Sequence, residues 1–243
     1  MAPELTVVVM TFNEEQNLPA VIDDVRRELA LITPQHEILI VDDGSTDGTG
    51  AIASRLKEGD SRIRCVSHSP NRGLGEVYRT GFTKATGALV TFLPADGQFP
   101  ASNVGRMYSA MGSKDAVFAN IVQRPDGWIP SLLSTLERSL YRVVIGDTPR
   151  LQGLFMVRRS VLASMEFVSG GGRGWGIVME LVLRLHRGGY RLGEIVAEVR
   201  PRLSGKSKVT NFRTIWANLR QLRVIGRVAR ARPPTSPAVR PFS

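Results

Sequence analysis

Glu37-Ile38-Leu39-Ile40-Val41-Asp42-Asp43-Gly44-Ser45-Thr46-Asp47-Gly48-Thr49 is the stretch that organises the chain. Its first part, Ile38 to Val41, is an apolar run with the length and β-branched content of a buried strand. A strand buried on both faces belongs to a parallel sheet, and in such sheets ligands bind beyond the carboxyl ends of the strands. Asp42 and Asp43 stand at that end. A carboxylate there can accept a hydrogen bond from a ribose hydroxyl or a base N–H. The same residues also read as a plain turn, Asp43-Gly44-Ser45, with Ser45 or Thr46 capping a helix.

Outward from this stretch, strand-like and helix-like segments alternate. Leu5 to Met10 is a Val-rich strand. Leu18, Val21, Ile22, Val25 and Leu29 follow helical spacing, with Pro19 tolerated in the first turn. Thr46 to Lys57 reads as a second helix, Ile63 to Val66 as a third strand, Leu74 to Ala85 as a helix closed by Gly87, and Ala88 to Leu93 as a fourth strand. Further on, the pattern predicts strand (115–121), helix (130–145), strand (151–157), helix Ile177–Arg187 and strand Tyr190 to Arg200. The alternation predicts an α/β fold: a doubly wound, mostly parallel sheet with right-handed crossovers.

Bulk properties narrow the class. A chain of 243 residues, 42% hydrophobic and 22% charged, is ordinary for a soluble globular protein. Cys65 is the one cysteine, which excludes a disulfide framework and a cysteine-ligated zinc and fits a reducing compartment. No apolar run approaches the roughly 18 residues of a membrane span, and the N-terminus does not read as a signal peptide. Val199 to Ser243 hold eleven Lys and Arg and no Asp or Glu, so the net charge of +10 belongs to the tail. Such a tail suits nucleic acid, an anionic membrane or phosphorylated substrates.

The loop after the first strand, Thr11-Phe12-Asn13-Glu14-Glu15-Gln16-Asn17, is acidic and lacks glycine. It cannot cradle a diphosphate on backbone amides as a G-x-G-x-x-G turn does. A nucleotide site here needs another way to neutralise phosphate. A divalent cation on Asp96, at the end of the fourth strand, would serve, with Gln98 offering a second oxygen; such ligands suit Mg²⁺ or Mn²⁺.

Taken together and in order, several segments resemble the GT-A glycosyltransferases of family 2, and among them the polyprenyl-phosphate sugar synthases typified by dolichol-phosphate mannose synthase. They are Phe12-Asn13-Glu14, Val41 to Thr49, Asn71-Arg72-Gly73-Leu74-Gly75 with Gly81, Ala85 and Gly87, Ala95-Asp96-Gly97-Gln98, and Arg202-Leu203-Ser204-Gly205-Lys206-Ser207-Lys208. The likeness spans about residues 5 to 210. It implies a nucleotide-sugar donor (GDP- or UDP-sugar), a polyprenyl phosphate acceptor and inversion at the transferred sugar. Phe12 and Glu14 would contact the base and Asp43 the base or ribose, with Val41, Asn71 and Ala95 in the same site. Asp96 and Gln98 would bind Mg²⁺ or Mn²⁺ on the diphosphate. Arg202 and Lys208 would close on phosphates.

Two positions depart from that pattern. Pro94 stands where the family usually has the first acid of Asp-x-Asp. Ile121 stands where it often has an Arg, which makes Arg124 the candidate for the acceptor phosphate, or else a surface cation. The resemblance further implies a cytoplasmic protein, peripheral on the inner face of a membrane. The expected organisation is a catalytic domain (1–210), a basic amphipathic helix (211–231) and a disordered tail (232–243). In that helix Phe212, Ile215, Trp216, Leu219 and Leu222 share a face flanked by arginines, which suits an anionic membrane surface, the body of the protein or a second subunit of a homo-oligomer.

Rival readings remain at this stage. A soluble hydroxyl acceptor would require a general base, for which Glu180 is the candidate; a Glu near a helix start also has a plain dipole rationale. A non-catalytic relative binding nucleotide or nucleic acid is another, although no aromatic residues alternate with the basic ones as single-strand binding would need, so nucleic acid is not the expected partner. His68 and His186 lack ligand spacing and read as structural.

Overall fold

β1 (Leu5–Thr11) and β2 (His36–Asp42) are buried along their whole length, which places them in the middle of the sheet. A computed structural model describes residues 2–121, 154–169, 176–201 and 226. The other elements are α1 (Leu18–Ile32), α2 (Thr49–Gly59), β3 (Ile63–Ser67), α3 (Leu74–Lys84), β4 (Leu89–Pro94), α4 (Ser102–Met111), β5 (Ala116–Asn120), β6 (Leu154–Arg158), α5 (Arg159–Ala163), α6 (Gly176–Arg187) and β7 (Leu192–Val196). The strands form one seven-stranded sheet in the order β3-β2-β1-β4-β6-β5-β7. All are parallel except β6, which runs against both β4 and β5.

Alternation along β1 sorts the core into two layers. Val7 and Val9 point to one side, against Val21, Ile22, Val25 and Leu29 of α1 and Val104 and Met107 of α4. Val8 and Met10 point to the other, against Val77 and Phe82 of α3 and Ile177, Leu181 and Leu185 of α6. Each fully buried Val, Leu or Phe contributes about 1.5–3 kcal/mol, so the layers set the fold. Two glycines let backbone approach the sheet. A Cβ on Gly81 would lie 2.3 Å from the Phe92 ring, and one on Gly87 would lie 2.5 Å from the Thr6 nitrogen.

The order β3-β2-β1-β4 means that the chain moves outward from β1 in one direction, then returns to pair β4 on its other side. That reversal is a topological switch point, where an open α/β sheet leaves a crevice beyond its strand ends. The loops after β1, β2 and β4 all open there.

The doubly wound, mostly parallel α/β architecture is as expected, and several boundaries differ. The second helix starts at Thr49 rather than at residue 46, because Ser45, Thr46, Asp47 and Gly48 bond to the loop after β1. The predicted strand 190–200 shrinks to Leu192–Val196. Beyond it the chain turns toward β4: Ala197 N–H donates to Asn120 O, Glu198 N–H to Asn103 Oδ1, and Arg200 N–H to Gln98 O. The strand expected at 151–157 is Leu154–Arg158. α4 and α5 are additions to the expected elements; the apolar face of α4 is short, Val104, Met107 and Met111, and α5 has only five residues. The predicted helices 130–145 and 211–231 lie outside the described residues.

Candidate functional site

The loops after β1 and β2 are tied together by reciprocal bonds. Asn13 N–H donates to Ser45 Oγ (2.8 Å), and Asn13 Oδ1 accepts from Thr46 N–H (2.7 Å). Glu14 N–H donates to Thr49 Oγ1 (2.8 Å), and Glu15 Oε2 accepts from Gly48 N–H (2.7 Å). Asn13 has φ 54°, a left-handed conformation that Asn adopts more readily than most residues. These bonds hold the loop after β1 against the turn that opens α2. Glu14, expected on the base, has Oε2 accepting from Asn17 Nδ2 at 2.6 Å, beside the half-buried Phe12. Asp47 is held below its ordinary value: burial opposes this, but bonds from the Thr49 hydroxyl and amide outweigh it.

Asp42 and Asp43 divide the work of the β2 end. Asp42 Oδ1 accepts from the amide and hydroxyl of Ser45, closing the turn. Asp43, 4% exposed, lies at the head of a cage. Its Oδ1 accepts from His68 Nδ1 (2.8 Å) and Arg72 N–H (2.9 Å), and its Oδ2 from Gly73 N–H (2.8 Å). These donors fill three of the roughly four lone-pair positions of a carboxylate. Asn71 Nδ2 donates to Asp43 O, so Asn71 fastens the loop after β3. Gly44 permits that closeness, since a Cβ there would lie 2.7 Å from Asn71 N.

The β4 end supplies Asp96, 9% exposed, whose Oδ1 accepts from Gln98 N–H at 3.0 Å. Pro94, in place of an acid, ends β4 opposite Met10. Val41 and Ala95, expected among the donor contacts, are buried in the two core layers and form the floor beneath the crevice. The parallel registers bring the acids level. Thr11 pairs with Asp42 and Met10 with Pro94, so the loops that carry Phe12, Asp43 and Asp96 leave three adjacent strand ends side by side. Two strand spacings separate the acidic backbones, about 10 Å.

Among the described residues no group of three His, Cys, Asp or Glu could hold a metal ion. Asp96 with Gln98 still fits Mg²⁺ or Mn²⁺, which keep waters and take substrate phosphates as ligands rather than demanding an all-protein cage. Arg124, Arg202 and Lys208 lie outside the described residues. Arg200 N–H donates to Gln98 O at 2.8 Å, so the chain leading to Arg202 passes along the Asp96 loop.

Glu180 does not have the setting of a general base. It is 0% exposed and accepts from Ser169 N–H (2.7 Å), the Ser169 hydroxyl, Val168 N–H (3.2 Å) and Arg184 Nε (2.8 Å). His68, which reads as structural from the sequence, bonds to Asp43, a partner the sequence pattern does not name. The signal was the parallel pairing of β2 and β3: Asp42 pairs with Ser67, so residue 68 must lie beside residue 43.

Comparison with known proteins gives matches to both the sequence and the fold. The family model for Glycosyl transferase family 2 matches residues 6–164. The polyprenol monophosphomannose synthase of Mycolicibacterium smegmatis is 30% identical over 93% of this chain and 89% of its own. Glucosyl-3-phosphoglycerate synthase from Mycobacterium tuberculosis, solved with Mn²⁺, UDP and glucosyl-3-phosphoglycerate, superposes with a TM-score of 0.61 at 21% identity, over 93% of this chain and 76% of that one. A mannosyltransferase from Pyrobaculum calidifontis with GDP-Man and Mn²⁺ gives 0.56 at 20% identity, over 94% and 74%.

Proposed function

The chain belongs to glycosyl transferase family 2 and is a glycosyltransferase; on that premise we propose that it moves a sugar, with inversion, from a nucleoside diphosphate to a polyprenyl phosphate. The observation that supports the donor half is that the loops carrying Asp43, Phe12 and Asp96 follow three adjacent strand ends at the switch point. The acceptor half is supported by the polyprenol-phosphate relative, which matches over nearly the whole of both chains. Structures of this fold hold UDP in one case and GDP-Man in another, so the base is left to measurement.

In this reading the nucleoside packs against Phe12 and the Asp43 cage, with Glu14, Asn71, Val41 and Ala95 shaping the pocket. Asp96 and Gln98 would hold Mg²⁺ or Mn²⁺, which supplies positive charge to the departing diphosphate. Arg202 and Lys208 would donate to phosphate oxygens as groups with no acceptor of their own. Arg124 orients the acceptor phosphate. An oxygen of that phosphate attacks the anomeric carbon as its bond to the diphosphate breaks. The phosphate is already anionic near neutral pH, so no protein base is required, consistent with the sealed environment of Glu180. That burial also weighs against a hydroxyl acceptor.

Among the described residues no helix is long and apolar enough to cross a membrane. The domain at 1–210 would be followed by an Arg-rich helix over 211–231, resting on the anionic inner face of the membrane from the cytoplasmic side, and by a tail over 232–243; sedimentation of the purified protein tests a homo-oligomer. Incubation with Mn²⁺, labelled GDP- or UDP-sugars and polyprenyl phosphate tests the proposal. Label entering the lipid phase is the expected result. Turnover with water-soluble hydroxyl acceptors alone would overturn the acceptor assignment.

A further inference from the structure

We infer that His68 is a positioning residue for donor binding, acting through Asp43; this rests on the reading that the nucleoside lies against Asp43. The ring is 5% exposed and spans two elements. Nδ1 lies 2.8 Å from Asp43 Oδ1, and Nε2 lies 2.8 Å from Thr80 Oγ1 on α3. An ionised carboxylate only accepts, so Nδ1 carries the hydrogen. Nε2 faces the Thr80 hydroxyl, which can rotate to donate or accept. His68 is fixed from its backbone as well, since its N–H donates to Asp42 O at 2.8 Å.

The consequence is a carboxylate with one orientation. The amides of Arg72 and Gly73 approach Asp43 from the loop after β3, and the imidazole approaches from the β3 end. Among the described residues no Lys or Arg side chain pairs with Asp43. The imidazole is thus its one side-chain donor there. Without the ring, the carboxylate can rotate away, and the amides of residues 72 and 73 follow. The part of the crevice beside Phe12 would lose its shape, while Asp96 and Gln98, two strands away, would not be touched.

The geometry separates this role from mere packing. An Asn side chain places its amide nitrogen where Nδ1 stands; a Gln side chain reaches toward Nε2 and Thr80 instead. The experiment measures binding of UDP and GDP with Mn²⁺ by calorimetry, donor KM and kcat, and the unliganded Tm, for wild type, His68→Asn, His68→Gln and Thr80→Val. The inference expects His68→Asn to keep donor KM within about twofold, and His68→Gln to raise it about tenfold with kcat held, one lost charge-assisted hydrogen bond. Thr80→Val should raise it about threefold. Equal behaviour of the Asn and Gln variants, whether both intact or both impaired, overturns the inference. If His68→Gln does not fold, an unchanged donor KM in Thr80→Val overturns it and a raised one with unchanged kcat supports it. Failure of the wild type to bind any nucleoside diphosphate would instead defeat the proposed function, and is visible separately.

Discussion

β2 carries a buried acid near each end, and the two are held by different kinds of donor. Glu37, at the start, accepts from the Thr6 hydroxyl (2.6 Å), the amide and hydroxyl of Thr86 (3.0 and 2.9 Å) and the Arg64 guanidinium. Side chains from β1 and β3 and the turn before β4 therefore converge on it, and a cation neutralises it. Asp43, just past the other end, accepts from an imidazole and two consecutive backbone amides. The first arrangement fastens three elements and leaves no opening. The second fixes the path of a loop, and the loop borders the crevice. One strand thus supplies a staple at one edge and a shaping group at the other.

The comparison breaks if damage at one edge has the effect assigned to the other. The largest separation is expected for Asp96→Ala: kcat should fall about a thousandfold, near 4 kcal/mol in barrier, with little change in unfolding free energy. Steady-state transfer assays and urea unfolding of the same preparation check both halves. Glu37→Ala should do the reverse, costing roughly 3 kcal/mol of stability by leaving Thr6 and Thr86 without their acceptor, while nucleotide affinity of the folded protein is retained. Gly81→Ala, which would drive a methyl into Phe92, should cost about 2 kcal/mol by the same measurement.

Acid sharpens the contrast further. Burial tends to raise the Glu37 carboxyl, but hydrogen bonds from Thr6, Thr86 and Arg64 hold it below its ordinary value of 4.5. A lowered folded value means that its contribution is in place above the unfolded value and is lost as pH falls through the folded one. Wild type should therefore lose Tm steeply below about pH 4.5, and Glu37→Gln should show a flatter acid limb from a lower starting Tm. The smallest effect is expected at Asp47, whose depressed carboxyl accepts from the Thr49 turn and from the Glu15 amide: Asp47→Asn should lower stability by about 1 kcal/mol, measured by thermal unfolding at neutral pH.

Much of this was legible in the sequence, for identifiable reasons. Val7, Val8, Val9 and Ile38 to Val41 are apolar on both faces, and only a covered parallel strand needs that. The Asp43 and Asp96 positions followed, because carboxyl ends of such strands are where the crevice opens. What the pattern did not carry was the direction of individual bonds. Nothing in the pattern shows that Glu14 also accepts from Asn17, or that Glu15 accepts from the Gly48 amide and ties the two loops together. Val41 and Ala95 sit inside family segments but pack into the floor. His68 lacked any motif, and only the register of β3 against β2 reveals its partner. α4 was missed because its apolar face is short, only Val104, Met107 and Met111, with the polar Asn103 buried beside them.

The central claim is that acids two strands apart hold opposite ends of one donor. Calorimetric titration of UDP and GDP into wild type and Asp96→Asn, each with and without Mn²⁺, tests it most directly. The account predicts that one base binds to wild type markedly tighter with Mn²⁺, and that Asp96→Asn binds it weakly and equally with or without the metal. Metal-dependent binding that survives unchanged in Asp96→Asn would contradict it.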